Sequence, residues 1–411
     1  MSCLEPSERM SLLDHPDARA LLADAELTPG DVARSAQRLE HFLERYLPCF
    51  FRHEHHELAQ VVLAGKLSKL ERKTAEPIAA LAGRHRKPVQ NFVGAGAWQD
   101  RTVLAEMRQH VAEVLGDPDA VLVIDPSGFP KKGTASCGVT RQWCGRLGKV
   151  ENCQVGVFLA YVTAHGSAPL DGQLYLPKDW AADPKRRKAT HVPADVTFQE
   201  SWRIALDLLD RSAAAVPFGW VAGDDEFGRA SAFRTELRRR HWQYVLDVPA
   251  TTTIRDLGET PAAGCRVPPW RSVAEWAAAQ PAARWRRLVR GAGAKGPKVV
   301  RALEAWVQTK DEDGCAGPRE RVVVIRSVAD EPQVWYTLSN AADTVPLVRV
   351  VGAQGQRHGV EEVLQAAKGE VGLGHYEVRS WVGWHHHVTL SLLALWFLIV
   401  EKRRLEKKRR R

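Results

Sequence analysis

The sequence predicts an α/β protein that begins with an all-helical region. From Asp31 to Gly116, apolar residues recur three or four positions apart, as they do on one face of a helix. Residues 120–124 then form a continuous apolar run that ends in Asp125 and Pro126, which is typical of a strand buried on both faces. Helical and strand patterns follow one another to about residue 248, and such an order favours an α/β core.

The composition is that of a globular, intracellular chain. Its 411 residues are 45% hydrophobic and 26% charged, which excludes disordered and small disulfide-rich proteins. The longest apolar run, 388–400, is too short to span a bilayer, so we expect a buried helix there and no membrane association. The N-terminal residues show no signal peptide, and the seven cysteines contain no Cys-x-x-Cys pair. We therefore expect a cytoplasmic location.

The core elements follow in a defined order. After the first strand, two strand-like runs at 154–163 and 172–176 lie at hairpin spacing. Then come a helix, a strand, a helix and a strand, at 199–215, 219–223, 230–240 and 243–248. Three adjacent strands followed by this alternation are the layout of an RNase H-like core.

An insertion interrupts that core before its last helix. Between 250 and 350 the chain is rich in Gly, Pro and Trp, with strand patterns at 321–327 and 333–338, which predicts a mainly β insertion. Helical spacing at 360–370 returns the chain to the core, and a final helix is expected at about 387–404.

These patterns divide the chain into five segments. We expect a helical DNA-binding or assembly domain, the first part of the RNase H-like core, the β insertion, the last part of the core with the C-terminal helix, and a basic tail, at 1–118, 119–249, 250–350, 351–400 and 401–411. The tail carries +6 of the chain's net charge of +9, which favours binding to a polyanion.

Three acidic residues stand where such a core would place a metal site. Asp125 ends the first strand, Asp224 ends the strand at 219–223, and Glu361 lies on the helix after the insertion. A single aspartate at a strand end more often caps a turn. Three carboxylates gathered together repel one another unless divalent cations neutralise them, and Mg²⁺ prefers such oxygen ligands. Two ions about 4 Å apart activate an attacking hydroxyl and stabilise the leaving oxygen of a phosphodiester.

Helix geometry selects Glu361 over its neighbour Glu362. At about 100° per residue, Arg357, Glu361 and Lys368 form one stripe beside the buried face, while Glu362 points away from it. The residues of that buried face are Val360, Val363, Leu364 and Ala367.

Three sequence blocks resemble those of DDE-type transposases of bacterial insertion sequences, specifically those with a β insertion between the second Asp and the Glu. The first block comprises Asp125–Gly133, Gly138, Arg141–Trp143, Gly145, Gly148–Lys149 and Asn152–Gly156, and is continued by Leu174–Pro177 and Trp180. Asp224–Gly228 is similar to the family's Asp-x-x-Tyr-Gly, with Phe227 in place of Tyr. Arg357, Glu361 and Lys368 match the spacing of the third block, whose Tyr position holds Gln354.

The resemblance implies roles for these residues. Asp125, Asp224 and Glu361 would be catalytic and bind two Mg²⁺ ions, with Mn²⁺ as an alternative, and Arg357 and Lys368 would hold DNA phosphates. We also expect Lys131, Lys132 and Arg141 of the first block to contact DNA. Six Trp lie between residues 240 and 340, and most should be core of the insertion. Trp270 follows two prolines and is a candidate aromatic for holding a flipped base.

The resemblance implies a DNA transposase that cleaves phosphodiester bonds at element ends and joins the 3′-OH to target DNA. Double-stranded DNA would be its partner, and at least a homodimer would be needed because two ends are processed together. Two alternatives stay open: a metal-dependent nuclease without strand transfer, and a DNA-binding regulator on an inactive transposase scaffold.

Overall fold

The computed structural model describes residues 28–261, 264–293, 296–329 and 331–409. The first 27 residues of the predicted N-terminal domain and the last two residues of the predicted tail lie outside this part of the chain.

Helices form the N-terminal region, as its periodicity predicts. They are α1 (Pro29–Val32), α2 (Ser35–Glu44), α3 (His53–Leu67), α4 (Ala75–Leu81), α5 (Arg86–Ala95) and α6 (Asp100–Leu115). Their apolar faces are buried in the main hydrophobic core, which they share with strands of the sheet described below; Leu43, Val62, Phe92 and Met107 are each at most 1% exposed.

A single mixed sheet of twelve strands organises the described chain from residue 121 onward. Its strands are β1 (Val121–Pro130), β2 (Thr140–Cys144), β3 (Lys149–Thr163), β4 (Gly166–Leu174), β5 (Trp220–Gly223), β6 (Tyr244–Asp247), β7 (Thr253–Asp256), β8 (Arg271–Ser272), β9 (Arg286–Gly293), β10 (Gly296–Lys310), β11 (Ala316–Ser327) and β12 (Val334–Ser339). The fold is therefore the α/β class that the sequence predicts.

The first half of the sheet has the neighbour order β4, β3, β1, β5, β6. β1 pairs with β3 and β3 with β4 in antiparallel fashion, whereas β1, β5 and β6 run parallel. The strand β2 also pairs with β3, and the sequence patterns did not predict it. Parallel neighbours need a crossover between them, and helices provide it here.

Helices complete this half of the molecule. Those between the strands are α7 (Lys178–Ala181), α8 (Pro184–Ala189), α9 (Ser201–Ala213), α10 (Asp225–Gly228) and α11 (Ser231–Arg239). After the sheet come α13 (Leu347–Gly355) and α14 (His358–Gly369). The predicted buried face of α14 is confirmed, because Val360, Val363, Leu364 and Ala367 are all buried.

The strands of the predicted insertion extend the same sheet. β12 pairs antiparallel with β6, and the order continues through β11, β10, β7 and β8. A small second core under these strands is closed by α12 (Val273–Ala278), whose Trp276 is fully buried. Of the six Trp between residues 240 and 340, Trp276 is core, and Trp242, Trp285 and Trp335 are half-buried and pack against the two cores, so most of them contribute to core packing as predicted. Arginines cover several of them; Arg319, for example, lies 3.8 Å from the ring centre of Trp306.

The final helix, α15 (Trp381–Arg409), is longer than predicted at both ends. It is long and apolar enough to cross a membrane by composition, but 83% of its apolar window is buried inside the protein. Its predicted burial is thus confirmed; Leu390, Leu393 and Trp396 are completely inaccessible.

The basic residues after position 400 continue this helix. Arg404 donates to the carbonyl oxygen of Asp31 at 2.8 Å, and Lys408 pairs with the Asp31 carboxylate at 2.5 Å. Arg403 donates to the carbonyl oxygen of His165 at 2.5 Å. Part of the tail's positive charge is therefore engaged in contacts within the protein. The prediction of a separate tail did not include these contacts.

Candidate active site

The register of two parallel strands brings Asp125 and Asp224 together. Ile124 of β1 lies opposite Gly223 of β5, and the two aspartates are the next residues on each chain. β1 continues past Asp125 to Pro130 by pairing with β3, so Asp125 lies inside the strand, where the parallel pairing stops. Neighbouring parallel strands point in one direction, so both side chains are presented at the same edge.

The turn after β5 explains the sequence of the second block. The Asp224 carboxylate accepts a hydrogen bond from the Glu226 backbone N–H at 3.1 Å and so caps the short helix α10. Phe227 is completely buried. Gly228 packs directly on β6, and a Cβ there would lie 1.8 Å from the carbonyl oxygen of Asp247. Only glycine fits at that position.

Helix α14 supplies the third carboxylate. Its stripe of Arg357, Glu361 and Lys368 lines the same cleft as Asp125 and Asp224. The Glu361 side chain is 44% exposed, while Glu362 is 67% exposed and lies outside the cleft lining.

The cleft has a volume of about 890 Å³. The residues that line it are Asp125, Pro126, Ser127, Gly128, Gln142, Trp143, Gly145, Arg146, Val155, Tyr175, Ser201, Asp224, Glu226, Arg357, Glu361, Leu364, Gln365, Lys368 and Gly369. All three predicted carboxylates and both predicted phosphate-binding cations therefore share one open concave surface.

Burial and nearby negative charges make the two aspartates hard to ionise. Burial, and then the charge of Asp224, raise the pKa of Asp125 to about 8, and Glu361 contributes in the same direction. Burial, and then the neighbouring Glu226 and Asp225, raise the pKa of Asp224 to about 6. Arg357 opposes both shifts without cancelling them.

Arg357 and His358, at the start of α14, hold the Glu361 carboxylate. One carboxylate oxygen lies 3.3 Å from Arg357 and the other lies 2.9 Å from the Nδ1 of His358. Arg357 also pairs with the buried carboxylate of Asp247 at 3.2 Å. Glu361 thus faces the cleft, but its oxygens are engaged with Arg357 and His358.

The donor set suits a hard divalent cation. Asp125 and Asp224 are neighbouring, half-buried and insufficiently neutralised, which is the electrostatic condition that a bound Mg²⁺ relieves. Within the described residues, no three His, Cys, Asp or Glu side chains are already arranged to hold a metal ion. Glu361 would have to leave Arg357 and His358 to join the two aspartates.

The two predicted phosphate-binding cations differ in their surroundings. Arg357 is shared between Asp247 and Glu361. Lys368 donates to the Ser127 hydroxyl at 2.7 Å, which ties α14 to β1, and burial lowers its pKa. Both side chains remain at the cleft surface.

The remaining predicted DNA-contacting residues lie outside the cleft lining. Lys131 is packed over the ring of Tyr376 at 3.3 Å, and burial lowers its pKa to about 8. Lys132 and Arg141 are exposed beside the cleft-forming segments. Trp270 lies next to β8 at the far end of the sheet, with Arg255 4.3 Å from its ring centre, so it is not a neighbour of the carboxylates.

The structure adds cleft residues to which sequence reasoning assigned no role. Trp143 on β2 is 61% exposed, and Arg146 follows it in the turn to β3. Gln365 lies one turn beyond Glu361 on α14. Trp143 belongs to the first sequence block, but its exposure depends on β2, which has no clear apolar alternation.

Fold and site together define a mixed α/β protein with a cation-rimmed carboxylate cleft. A family model described as DDE superfamily endonuclease matches residues 45–306, more than half of the chain, and the chain belongs to that family. The matched region contains Asp125 and Asp224 and ends before Glu361.

A relative points in the same direction. The probable transposase for insertion sequence element IS701 from Microchaete diplosiphon is 26% identical over 152 residues. This segment is 37% of the present chain and 40% of that relative, so the match spans less than half of either protein. The NurA nuclease from Sulfolobus solfataricus aligns with 64% of this chain and 85% of its own at 8% identity, but its TM-score of 0.27 supports no conclusion about fold or function.

Proposed function

We propose that this protein is a DNA transposase that cuts phosphodiester bonds at the ends of an insertion sequence and joins the freed 3′-OH to target DNA. The observation that carries the proposal is the cleft in which Asp125, Asp224 and Glu361 meet two cations, in a chain of the DDE endonuclease family. The strand order β4, β3, β1, β5, β6 supports an RNase H-like core around it.

The proposed roles follow from the contacts of each side chain. Asp125, Asp224 and Glu361 would hold two Mg²⁺ or Mn²⁺ ions, which would supply the positive charge that activates the attacking oxygen and stabilises the leaving one. Arg357 and Lys368 hold positive charge beside the carboxylates, where they would position the scissile phosphate. The exposed ring of Trp143 offers a stacking surface for a base.

The partners are double-stranded DNA at the element ends and in the target. Lys132 and Arg141 are exposed and would contact the DNA backbone outside the cleft. Lys131 could contact DNA only after leaving the ring of Tyr376. Trp270 would bind DNA far from the carboxylates. The division of the chain into helical, core, inserted and tail segments remains part of the proposal. So do the homodimer, expected because two ends are joined in one reaction, and a cytoplasmic location.

The decisive experiment uses the DNA that flanks the gene as substrate. We expect cleavage with Mg²⁺, none in EDTA, and transfer of the 3′-OH end into a plasmid. Asp125→Asn should abolish cleavage while DNA binding is retained or tightened, because removal of a negative charge lowers repulsion of phosphate but breaks ion coordination. Full activity of Asp125→Asn, or cleavage in EDTA, contradicts the assigned site.

The same experiment separates the two alternatives. Metal-dependent cleavage without any strand transfer would identify a nuclease on the same core. Specific DNA binding without cleavage under any metal condition would identify a regulator.

A further inference from the structure

A second cavity shares no residue with the carboxylate cleft. It has a volume of about 220 Å³ and lies between helices α3–α5 and the segment that leads from α14 into α15. Its lining comprises Val62, Lys66, Lys73, Thr74, Ala75, Ile78, Gln90, Val93, His375, Tyr376, Glu377, Val378 and His387.

Lys66 lines this cavity and is only 2% exposed. Its ammonium group donates to the Ser391 hydroxyl at 2.7 Å and lies 3.5 Å from the Nδ1 of His387. His387 donates from its Nε2 to the carbonyl oxygen of Leu373 at 2.9 Å, so a neutral imidazole accepts at Nδ1. In the described part of the chain, no carboxylate pairs with Lys66.

Nearby charges add to the positive potential. Lys73 places its ammonium on the carbonyl oxygens of Lys66, Ser68 and Glu370, which satisfies its protons but leaves its charge. Glu377 belongs to the lining but is exposed, and its carboxylate pairs with Arg72 at 3.2 Å. Burial, reinforced by the charge of Lys73, lowers the pKa of Lys66 to about 7.

A buried ammonium without a counter-charge is costly, so Lys66 is either neutral or matched by a bound anion. The walls decide which kind of anion fits. Val62, Ile78, Val93 and Val378 present hydrocarbon beside the polar Thr74, Gln90 and His375, so a ligand with both an anionic group and an apolar body matches this lining better than a bare inorganic oxyanion. The cavity also exceeds the roughly 150 Å³ that is enough for a benzene-sized ligand.

We propose that this cavity is a binding site for a small organic carboxylate. The carboxylate contacts the Lys66 ammonium, and the apolar body packs between α3, α5 and the segment at 375–378. The proposal is independent of the function assigned to the carboxylate cleft.

Calorimetric titration of the full chain with benzoate tests this site. We expect saturable binding of benzoate, and binding at least about tenfold weaker for the neutral isostere benzamide. Lys66→Met should weaken benzoate binding by a similar factor. The matched control is Lys69→Met, which removes an exposed lysine three residues away and should leave the affinity unchanged.

A second variant keeps the test decisive if Lys66→Met does not fold. Val378→Phe adds bulk at a half-buried lining residue, leaves Lys66 itself unchanged, and should remove benzoate binding while the melting temperature stays close to that of the wild type. Equal binding of benzoate and benzamide, no saturable binding of benzoate, or binding of inorganic phosphate alone would each overturn the proposal.

Discussion

The fold makes the charged form of single residues in the cleft unfavourable. Asp125 is the extreme case, because it is half-buried beside Asp224 and its carboxylate accepts no hydrogen bond from the described residues. An aspartate whose pKa is raised on folding binds a proton more tightly in the folded protein than in the unfolded chain. The cost of ionising it is a cost to the stability of the fold.

This cost predicts a pH dependence of stability. In the metal-free protein, the free energy of unfolding should fall as pH rises from the ordinary aspartate value of 3.8 towards about 8, the raised pKa of Asp125. The melting temperature in EDTA should therefore fall more between about pH 6 and about pH 8.5 for the wild type than for Asp125→Asn. Mg²⁺ should stabilise more at the higher pH, because it no longer competes with the proton. Identical pH profiles of the two proteins would contradict this account.

The adjacent acids of α14 provide a matched pair. Glu361→Gln should lower cleavage by more than about 100-fold, because loss of a proposed metal ligand should cost more than loss of a residue that only hydrogen-bonds to a ligand. Glu362→Gln should be nearly normal, because Glu362 is 67% exposed and lies outside the cleft lining. The readout is the cleavage rate at saturating Mg²⁺. An inactive Glu362→Gln with an active Glu361→Gln would mean that the third block is misaligned.

Sequence patterns locate the charged residues of the site better than its neutral ones. Asp125 and Asp224 follow apolar runs that only a buried strand explains, so their side-by-side placement is predictable. The positions of the neutral residues Gln354 and Trp143 in the site could not be predicted in this way. Gln354 is 1% exposed and bonded to Asp247 at 3.0 Å, and this partner comes from a strand more than 100 residues earlier. No local pattern contains such a contact.

Among the elements, the helix α15 joins two parts that the sequence analysis treats as separate segments, a buried apolar helix and a basic tail. Its apolar half fills the core, and its basic end closes on α1 through Arg404 and Lys408, which both reach Asp31. Hydropathy predicts the apolar half. Polar contacts between the two ends of the described chain leave no periodic pattern in the sequence, so they could not be predicted. The strands β2, β9 and β10 were missed for a related reason, since they are only partly buried and lack a continuous apolar run.

The basic end of α15 should therefore contain two kinds of cation. Lys402 and Lys407 are exposed and have no partner among the described residues. Replacing both by Gln should lower the slope of log affinity for DNA against log salt by about 1.8, if each contacts one phosphate. Arg404→Gln with Lys408→Gln should instead lower the melting temperature with a smaller change in slope. An unchanged slope for the Lys402 and Lys407 variant would exclude this end of the helix from DNA binding.

Across the whole molecule, the shared sheet connects the insertion to the site. Arg290 of β9 donates to the Gln354 side chain at 2.5 Å, and Gln354 donates to Asp247 at 3.0 Å. Asp247 pairs with Arg357, which in turn pairs with Glu361. The position that is Tyr in the resembling family is thus a buried polar link, which a glutamine amide can make because it both donates and accepts.

This chain of contacts predicts that Arg290 affects catalysis without touching the carboxylates. Arg290→Ala should lower the cleavage rate by about tenfold with little change in DNA affinity, because Gln354 and Asp247 would no longer hold Arg357 in place. Arg287→Ala is the matched control, since Arg287 lies exposed on the same strand and has no described contact with α13 or α14.

A double-mutant cycle decides whether the contacts act as one unit. Asp247→Asn alone should also slow cleavage, and combining it with Arg290→Ala should cost less than the sum of the two effects, because both variants release the same Arg357. Fully additive losses would mean that Arg290 and Asp247 act separately. A loss of DNA affinity equal to the loss of rate in Arg290→Ala, matched by Arg287→Ala, would mean that β9 serves only as a charged DNA-binding surface.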